Sequence, residues 1–422
     1  MKKSFLFQTL KMIVCFFFFA TAGAGCSKES QNPMEPLGKF LETPAAERGD
    51  LASQPFAETA LTSAQAAAAS KQLWADYAAR LREHHQDEWD GKKITLGEDV
   101  MRFEKRLFGD APEDGRSLYI SMHGGGGAPA RINDQQWQNQ TRLYETPAGS
   151  LYVAPRAPTN DWDLWHKSHI DTFFDRIILN SILFENVNPN KVYIMGYSAG
   201  GDGVYQLAPR MADRWAAAAI MAGHPNDASP LGLRNVPFSI WVGKHDAAYK
   251  RNEVTVKWGK KMDDLQKQDP DGYIHKLNVI NSGHWMNRLD AAAIPWMAQY
   301  TRNPAPSRVV WKQDDVRHDR FYWLAIPTKK APGKTVAASV AGQVVTVENN
   351  EGFGTLLIRL NDNIVDLDKP VTVKYGDTIL FNGKASRTIA MINKALHRRQ
   401  DPASVFCAEI AVSLEPEKPS EK

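Results

Sequence analysis

The sequence predicts an α/β fold in which a mainly parallel sheet is flanked by helices, followed by a smaller, mainly-β domain. From residue 118 onward, short apolar strands alternate with helical stretches, which is typical of a parallel sheet covered on both faces. After Pro304 the chain changes to short strands separated by Gly, Asn, Asp and Pro turns, with one helical stretch at 388–399. The candidate strands of the first part are LYISM (118–122), LYVAP (151–155), VYIMG (192–196), AAAIMAG (217–223), FSIWVG (238–243) and KLNVIN (276–281).

A chain of 422 residues is long for one domain, so we expect at least two. A helix is predicted over 63–89, with His84 and His85 on its solvated surface, pointing apart and sharing no metal. The predicted segments are a signal peptide of the lipoprotein type (1–26), a flexible tether (27–60), the α/β domain (61–305), a β-rich accessory domain (306–415) and a disordered tail (416–422).

The amino terminus has the features of an export signal. Lys2 and Lys3 precede the apolar stretch MIVCFFFFA (12–20), which is too short to span a bilayer comfortably. Cys26 follows Ala24-Gly25 as in a bacterial lipobox, which predicts a lipidated cysteine at the mature amino terminus. Cleavage after Ala20-Thr21-Ala22 by an ordinary signal peptidase is the alternative. Both routes predict an exported protein, either a membrane-anchored envelope lipoprotein or a periplasmic or secreted one.

Composition excludes several classes of partner. Three of the 51 Lys and Arg residues lie in the leader, which leaves 48 basic against 48 acidic residues. Such a balance gives no electrostatic footprint for nucleic acid. No metal motif, P-loop or dinucleotide fingerprint occurs, so we predict neither a metal nor a cofactor. Without Cys26 no internal disulfide framework can form, and Cys407 is expected to be a small core residue.

The stretch VYIMGYSAGG (192–201) contains a candidate catalytic serine. A β-branched strand runs into Ser198, and small residues and then Val204 and Leu207 can start a helix after it. Strand, sharp turn and helix form the nucleophile elbow, which presents a serine hydroxyl at the end of a parallel strand. A tight structural turn with an incidental serine is the alternative.

A serine hydroxyl needs a base to take its proton and a third group to orient that base. In the α/β arrangement the acid and then the histidine follow the serine in the chain, each just past a strand. Asp246 follows FSIWVG and His284 follows KLNVIN, so we predict these two. The rivals are Asp227 for the acid and His224, His245 and His275 for the base.

Acyl transfer also needs hydrogen-bond donors for the developing oxyanion. The run SMHGGGGA (121–128) follows the first firm strand, and successive glycines let backbone N–H groups approach a substrate oxygen. Gly124, Gly125 and the residue after the nucleophile, Ala199, are the predicted donors.

The motifs HGGGG, GYSAG, GKHD and SGHW, in this order over residues 118–300, resemble the secreted α/β-hydrolase esterases related to poly(3-hydroxybutyrate) depolymerases and to feruloyl or acetylxylan esterases. The resemblance implies an α/β-hydrolase fold with Ser198 as nucleophile, His284 as base and Asp246 as orienting acid. It also implies that the glycines after His123 and the amide of Ala199 form the oxyanion hole. The β-rich segment is not covered.

Three tryptophans are candidate substrate contacts. Trp162 and Trp165 lie in NDWDLWH after the strand LYVAP, and Trp285 follows His284. Their rings can stack on a sugar or an aromatic acyl group. Tryptophans that close the edge of the sheet are the alternative.

Together these patterns predict an exported serine esterase that acts through an acyl-enzyme. Its expected partner is an ester substrate, with an acyl group linked to a polysaccharide or a polyester, and it contacts membrane only through a lipid anchor. A serine peptidase acting on short peptides and a non-catalytic envelope binding protein on the same fold are the alternatives.

Overall fold

The computed structural model describes residues 32–327 and 333–415, so the predicted signal peptide, Cys26 and the 416–422 tail lie outside the described residues. The helices are α1 Met34–Glu42, α2 Ser63–Asp90, α3 Ala130–Leu143, α4 Ser168–Glu185, α5 Ala199–Arg210, α6 Arg251–Gln268, α7 Ala293–Met297 and α8 Ile389–Arg399. The first strands are β1 Lys93–Leu96, β2 Asp99–Phe108, β3 Arg116–Met122, β4 Ser150–Arg156, β5 Val187–Tyr197, β6 Ala217–Met221, β7 Phe238–Gly243 and β8 His275–Ile280. The later strands are β9 Arg308–Lys312, β10 Arg320–Phe321, β11 Leu324–Ala325, β12 Thr335–Ala341, β13 Val344–Asn350, β14 Thr355–Leu360, β15 Val371–Tyr375, β16 Thr378–Gly383 and β17 Ala408–Ser413.

Strands β1 to β8 form one sheet in the order β1-β2-β4-β3-β5-β6-β7-β8. Strands β3 to β8 pair in parallel, whereas β2 is antiparallel to β4 and β1 is antiparallel to β2. Leu118 and Ile120 enter the hydrophobic core on one face and Tyr119 the core on the other, because successive side chains of a strand alternate. A mostly parallel sheet covered on both faces is the predicted fold class, which is therefore confirmed as an α/β-hydrolase fold.

The hairpin of β1 and β2 was not predicted. Strand β2 alternates buried residues such as Met101 and Phe103 with exposed charged ones, because it lies beside the antiparallel edge strand β1. A strand of this kind lacks the continuous apolar run that marks a strand buried on both faces.

Residues 32–60 are not the flexible tether that their composition predicted. Residues 34–42 form the helix α1, which packs on α2 and fully buries Leu37, and Leu51 is also buried. Met34, Leu37 and Leu41 of MEPLGKFLE have helical spacing. The neighbouring Pro and Gly residues, which usually indicate loops, led to the prediction of a tether.

His85 is also buried, contrary to the prediction of a solvated surface. Helix α2 packs against α4, and the His85 Nδ1 lies 2.9 Å from the Asn180 Oδ1. Burial lowers the pKa of His85 and so favours the neutral imidazole, whose Nδ1–H can donate to the Asn180 Oδ1.

The later strands build a β-rich region of two sheets, ordered β10-β11-β14-β17 and β16-β15-β13-β12-β9. The pairing is antiparallel except between β13 and β15, which are parallel. Helix α8 packs against α2 and so joins this region to the first sheet. Cys407 is buried, as predicted for a core residue.

Candidate active site

Ser198 stands at the sharp turn between β5 and α5. Its backbone has φ 56° and ψ −121°, a conformation that non-glycine residues rarely adopt, and its N–H donates to the Met221 carbonyl (2.8 Å). The turn closes only because Gly196 and Gly200 lack side chains: a Cβ on Gly196 would overlap the Gly200 carbonyl, and one on Gly200 would overlap the Met122 carbonyl. The glycines flanking Ser198 are thus explained by backbone contact, and the hydroxyl is presented at the carboxyl edge of the sheet.

The structure brings the predicted serine, histidine and aspartate together. His284 Nε2 lies 3.0 Å from the Ser198 Oγ, and His284 Nδ1 lies 2.7 Å from the Asp246 Oδ2. Asp246, just after β7, is 2% exposed, whereas the His284 side chain, after β8, is 43% exposed. A buried carboxylate therefore holds one ring nitrogen while the other faces the hydroxyl, which is the geometry of a serine nucleophile with its base.

The rival residues have other partners. Asp227 accepts a hydrogen bond from the Gln206 side chain at 3.0 Å and does not reach a histidine of the site. The three rival histidines contact other groups: His224 Nδ1 accepts from the Asn226 N–H, His245 Nε2 lies 2.9 Å from the Asn281 Oδ1, and His275 Nε2 lies 3.1 Å from the Asp263 Oδ1.

Tyr197 fixes the loop that carries His284, a role that sequence reasoning missed. Its hydroxyl donates to the His284 carbonyl (2.6 Å) and accepts from the Met286 N–H (3.1 Å). Burial raises the pKa of this phenol, which keeps the hydroxyl protonated as the donor. Tyr197 occupies the first unspecified position of the G-x-S-x-G motif, so the motif did not indicate its role.

The glycine run lies beside the nucleophile. A Cβ on Gly124 would lie 3.1 Å from the Ser198 Cβ, and Gly125 has φ +109°, a region that favours glycine. The Gly126 N–H is occupied by the Asn133 Oδ1 (2.8 Å). Ala199 begins α5, where N–H groups of the first turn have no intrahelical acceptor. Of the three predicted oxyanion donors, Gly124 and Ala199 thus lie directly beside Ser198, and Gly125 lines the same cleft.

His123 is a structural residue that shapes this run. Its Nδ1 lies 2.6 Å from the Gly124 carbonyl and its Nε2 accepts from the Ala157 N–H (3.2 Å), an arrangement that assigns the proton to Nδ1. Burial lowers the pKa of His123 to about 3, so the ring stays neutral at ordinary pH.

Trp165 was predicted to contact substrate, but its position is not open to a substrate. It is fully buried, its indole N–H donates to the His123 carbonyl (3.0 Å), and its ring packs against Gly203 of α5. The two tryptophans of NDWDLWH therefore differ: Trp165 supports the glycine run, and Trp162 is 64% exposed.

Two clefts lie next to the glycine run, one lined by Ser198 and the other by the following residue, Ala199. The larger, about 850 Å³, extends past His284 and is lined by Trp285, which is 50% exposed. The smaller, about 340 Å³, lies on the other side of Gly125 and is lined by Trp162, Tyr249 and Arg251. Trp285 thus shares a cleft with Ser198, whereas Trp162 lines the neighbouring cleft.

Arg251 connects the smaller cleft to the orienting acid. Its Nη1 lies 3.7 Å from the Asp246 Oδ1, and its guanidinium lies over the Tyr249 ring. Asp202, on the wall of the same cleft, accepts from the His224 N–H (2.6 Å), and burial raises its pKa to about 6. The smaller cleft therefore places one cation beside one carboxyl group that is easily protonated.

Within residues 32–327 and 333–415 no group of three or more His, Cys, Asp or Glu side chains is arranged to hold a metal ion. In the same part of the chain no helix is long and apolar enough to cross a bilayer.

Comparisons with known proteins give structural matches only. No family model matches the chain, and no curated protein matches it. Solved structures that are similar include a thermostable esterase (TM-score 0.37, 16% identity, 50% of this chain) and an acetyl xylan esterase from Aspergillus awamori (TM-score 0.29, 14% identity, 40% of this chain and 78% of that one). A fluorophosphonate-binding serine hydrolase from Staphylococcus aureus is another (TM-score 0.34, 14% identity, 49% of this chain and 96% of that one). The match spans 62% of the thermostable esterase, less than two thirds of its length.

Proposed function

We propose that this protein is a serine hydrolase that cleaves carboxylic esters through a covalent acyl-enzyme. The observation that carries the proposal is the hydrogen-bonded chain from the Ser198 Oγ to His284 Nε2 (3.0 Å) and from His284 Nδ1 to the buried Asp246 (2.7 Å), on the wall of the larger cleft.

In the proposed reaction the Ser198 Oγ attacks the ester carbonyl carbon while its proton passes to His284 Nε2. The buried carboxylate of Asp246 stabilises the imidazolium that forms and keeps the ring in the required tautomer. His284 then protonates the leaving alcohol, and a water molecule, deprotonated by the same nitrogen, releases the acid from Ser198.

The tetrahedral intermediates carry negative charge on the former carbonyl oxygen. We assign its stabilisation to the backbone N–H groups of Ala199 and of Gly124 or Gly125, all of which adjoin Ser198. Each such donor contributes roughly 3–4 kcal/mol to lowering the barrier. The rigid contacts of His123 and Asn133 with the glycine run hold these donors in place before substrate binds.

A fluorophosphonate probe tests the nucleophile. We expect it to label Ser198, and Ser198→Ala to lose both labelling and p-nitrophenyl acetate hydrolysis, by about 10⁴-fold or more. The matched control is Ser282→Ala, which removes a hydroxyl on the loop before His284 and should keep both. Labelling at another serine, or labelling that survives in Ser198→Ala, contradicts the assignment and favours a non-catalytic binding protein. Cleavage of short peptides but not of esters would favour the peptidase.

We also propose that the protein is exported and anchored by lipid on Cys26. The support is the apolar leader and the cysteine that follows Ala24-Gly25. Mass spectrometry should find a mature chain that begins at acylated Cys26, and wild type should partition with membranes whereas Cys26→Ser does not. Several acyl chains are expected, because one chain anchors only marginally. An unmodified chain that begins at Gly23 would show that Ala20-Thr21-Ala22 is the cleavage signal.

A further inference from the structure

The larger cleft at Ser198 has a one-sided charge. Its wall contains the guanidinium groups of Arg142 and Arg288 together with His284, and no Asp or Glu is among the residues that line it. The remaining polar side chains of the wall are uncharged: amides such as those of Gln136 and Asn139, and the hydroxyls of Tyr197 and Ser198. A concave surface lined by one sign of charge concentrates the potential and attracts ligands of the opposite sign.

Neither arginine forms an ion pair within the part of the chain that the structure describes. Arg142 is exposed in the last turn of α3, and Glu145, three residues later, neither lines the cleft nor bonds to it. The acid nearest to Arg288 in sequence is Asp290, which is 1% exposed, accepts a hydrogen bond from the Tyr144 hydroxyl and interacts with Arg288 through charge without an ion-pair contact. Both guanidinium groups are therefore available to a ligand.

The position of Arg288 is fixed by the same loop that carries His284. Asn287 and Arg288 both have left-handed backbones (φ 52° and 64°), a conformation that non-glycine residues rarely adopt. Two hydrogen bonds hold the loop. The Met286 N–H donates to the Tyr197 hydroxyl (3.1 Å), and the Leu289 N–H donates to the Met286 carbonyl (3.0 Å). The Arg288 side chain therefore starts from a fixed point near the nucleophile.

Trp285 supplies an apolar surface in the cleft that also contains the two arginines and Ser198. Its ring is half exposed and lies 5.7 Å from the Tyr197 ring, on the wall of the same cleft. A substrate can thus place its carbon skeleton on this ring while a polar end extends toward the arginines. Planar guanidinium groups bind carboxylates with two parallel hydrogen bonds, which makes a carboxylate the matching anion.

We propose that the larger cleft is an anion subsite and that the preferred substrates are esters with a second, ionised carboxylate, bound by Arg142 and Arg288. This inference rests on the proposed esterase function and specifies its substrate class. The carboxylate can belong to the acyl part, as in a monoester of a dicarboxylic acid, or to the alcohol part, as in an ester of a hydroxy acid.

Two pairs of substrates test the proposal and distinguish these sources. Monophenyl adipate and its methyl ester differ by a charge on the acyl part, and 4-acetoxyphenylacetic acid and its methyl ester differ by a charge on the leaving group. We expect wild type to have a higher kcat/KM for the charged member of one pair, through a lower KM. Rising salt should weaken that preference, because exposed charges are screened.

Variants assign the preference to the arginines. Arg142→Gln and Arg288→Gln should each reduce the ratio of charged to neutral kcat/KM by roughly three- to tenfold, as expected for charge-assisted hydrogen bonds at a partly exposed site. The neutral member should change less than the charged one, and continued fluorophosphonate labelling of Ser198 in both variants shows that the His284 loop is intact. The matched control is Arg131→Gln, an exposed arginine of the same helix α3 that does not line the cleft.

Equal or slower hydrolysis of the charged members by wild type overturns the anion subsite and leaves the esterase proposal standing. The same conclusion follows if the variants affect charged and neutral esters alike. If no member is hydrolysed and the fluorophosphonate probe does not label Ser198, the esterase proposal fails and the subsite fails with it.

Discussion

At the scale of single residues, Ser198 illustrates how backbone geometry prepares a side chain for chemistry. Its left-handed φ is costly for a residue with a Cβ, by about 1–3 kcal/mol, and persists because the surrounding contacts fix it. Those contacts are the hydrogen bond that the Ser198 N–H donates to the Met221 carbonyl and the close approach of the Gly196 and Gly200 backbones. A side chain at Gly196 would push β5 and α5 apart, and one at Gly200 would push α5 away from the end of β3, so either would move the hydroxyl.

The carboxylate that orients His284 can be tested by isosteric substitution. Asp246→Asn should keep the fold but reduce kcat by as much as about 10⁴-fold, because the amide N–H can donate to His284 Nδ1, which leaves the ring proton on Nε2, where it cannot accept the Ser198 proton. Asp227→Asn is the control and should change kcat little, since its contact with Gln206 lies outside the hydrogen-bonded chain. Turnover of p-nitrophenyl acetate and circular dichroism are the measurements. A large loss in Asp227→Asn with full activity in Asp246→Asn would move the acid to the loop after β6.

At the scale of elements, the amino-terminal segment behaves as a packed part of the fold. The helix α1 lies on α2, which begins with a capping box formed by Thr62 and Gln65 and runs for 28 residues. The Leu61 N–H then donates to the Arg387 carbonyl (2.9 Å), which connects the segment to the β-rich region. A segment that contacts both regions contributes to their joint stability.

Two substitutions in α1 test this packing. Leu37→Ala should lower the free energy of unfolding by about 2–5 kcal/mol, because a fully buried side chain is removed. Gly38→Ala should raise it by about 0.5–1 kcal/mol, since a Cβ there meets no atom within 4 Å and alanine favours the helix. Denaturant unfolding monitored by tryptophan fluorescence measures both. If neither variant shifts the midpoint, residues 34–42 do not pack in solution and the tether prediction is restored.

At the scale of the whole molecule, buried ion pairs connect the α/β domain to the β-rich region. Asp401 lies just after α8 and is fully buried. Its Oδ2 is 2.7 Å from Arg302 Nη1, and the two form an ion pair whose geometry is not that of a hydrogen bond. The same oxygen lies 3.5 Å from Arg214 Nη1, on the α/β side. A second pair joins Arg399 of α8 to Asp213 (2.9 Å). These charges are excluded from water, so each depends on its partner.

Asp401→Asn tests the junction. Removing this charge leaves the buried Arg302 without its ion-pair partner, whereas Arg214 keeps Asp175 (2.6 Å), so we expect a loss of about 3–5 kcal/mol in the free energy of unfolding. The control is Asp366→Asn, whose partner Lys369 is on the surface, and it should leave the midpoint unchanged. A midpoint for Asp401→Asn equal to that of wild type would show that the two regions are held without this ion pair.

The same group predicts a pH dependence. Burial opposes ionisation of Asp401, but Arg302 and Arg214 outweigh it and hold the pKa at about 2. A carboxylate whose folded pKa is lowered stabilises the protein fully above its unfolded pKa, about 4, and this stability is lost as pH falls from about 4 to 2. Wild type should therefore lose stability across that window more steeply than Asp401→Asn. Parallel slopes in chemical denaturation between pH 4 and 2 would contradict this role.

The sequence by itself determined the strands of the parallel sheet and the chain order of Ser198, Asp246 and His284. Apolar runs and the strand, turn and helix around GYSAG are local properties, and parallel strands deliver the residues that follow them to one edge of the sheet. The same reasoning missed β1 and β2, because a half-exposed antiparallel strand has no apolar run, and it mistook α1 for a tether. Local patterns therefore predicted the central sheet and the hydrogen-bonded site more completely than the edges of the fold.

Only the tertiary structure decided which side chains are buried. Trp162 and Trp165 are three residues apart, yet one is exposed at a cleft and the other lies fully buried beneath His123. Arg142 and Arg288 are far apart in the chain and face one cleft, and Asp401 meets Arg214 across the junction of two regions. Burial and charge pairing depend on contacts between residues distant in sequence, so no local pattern specifies them.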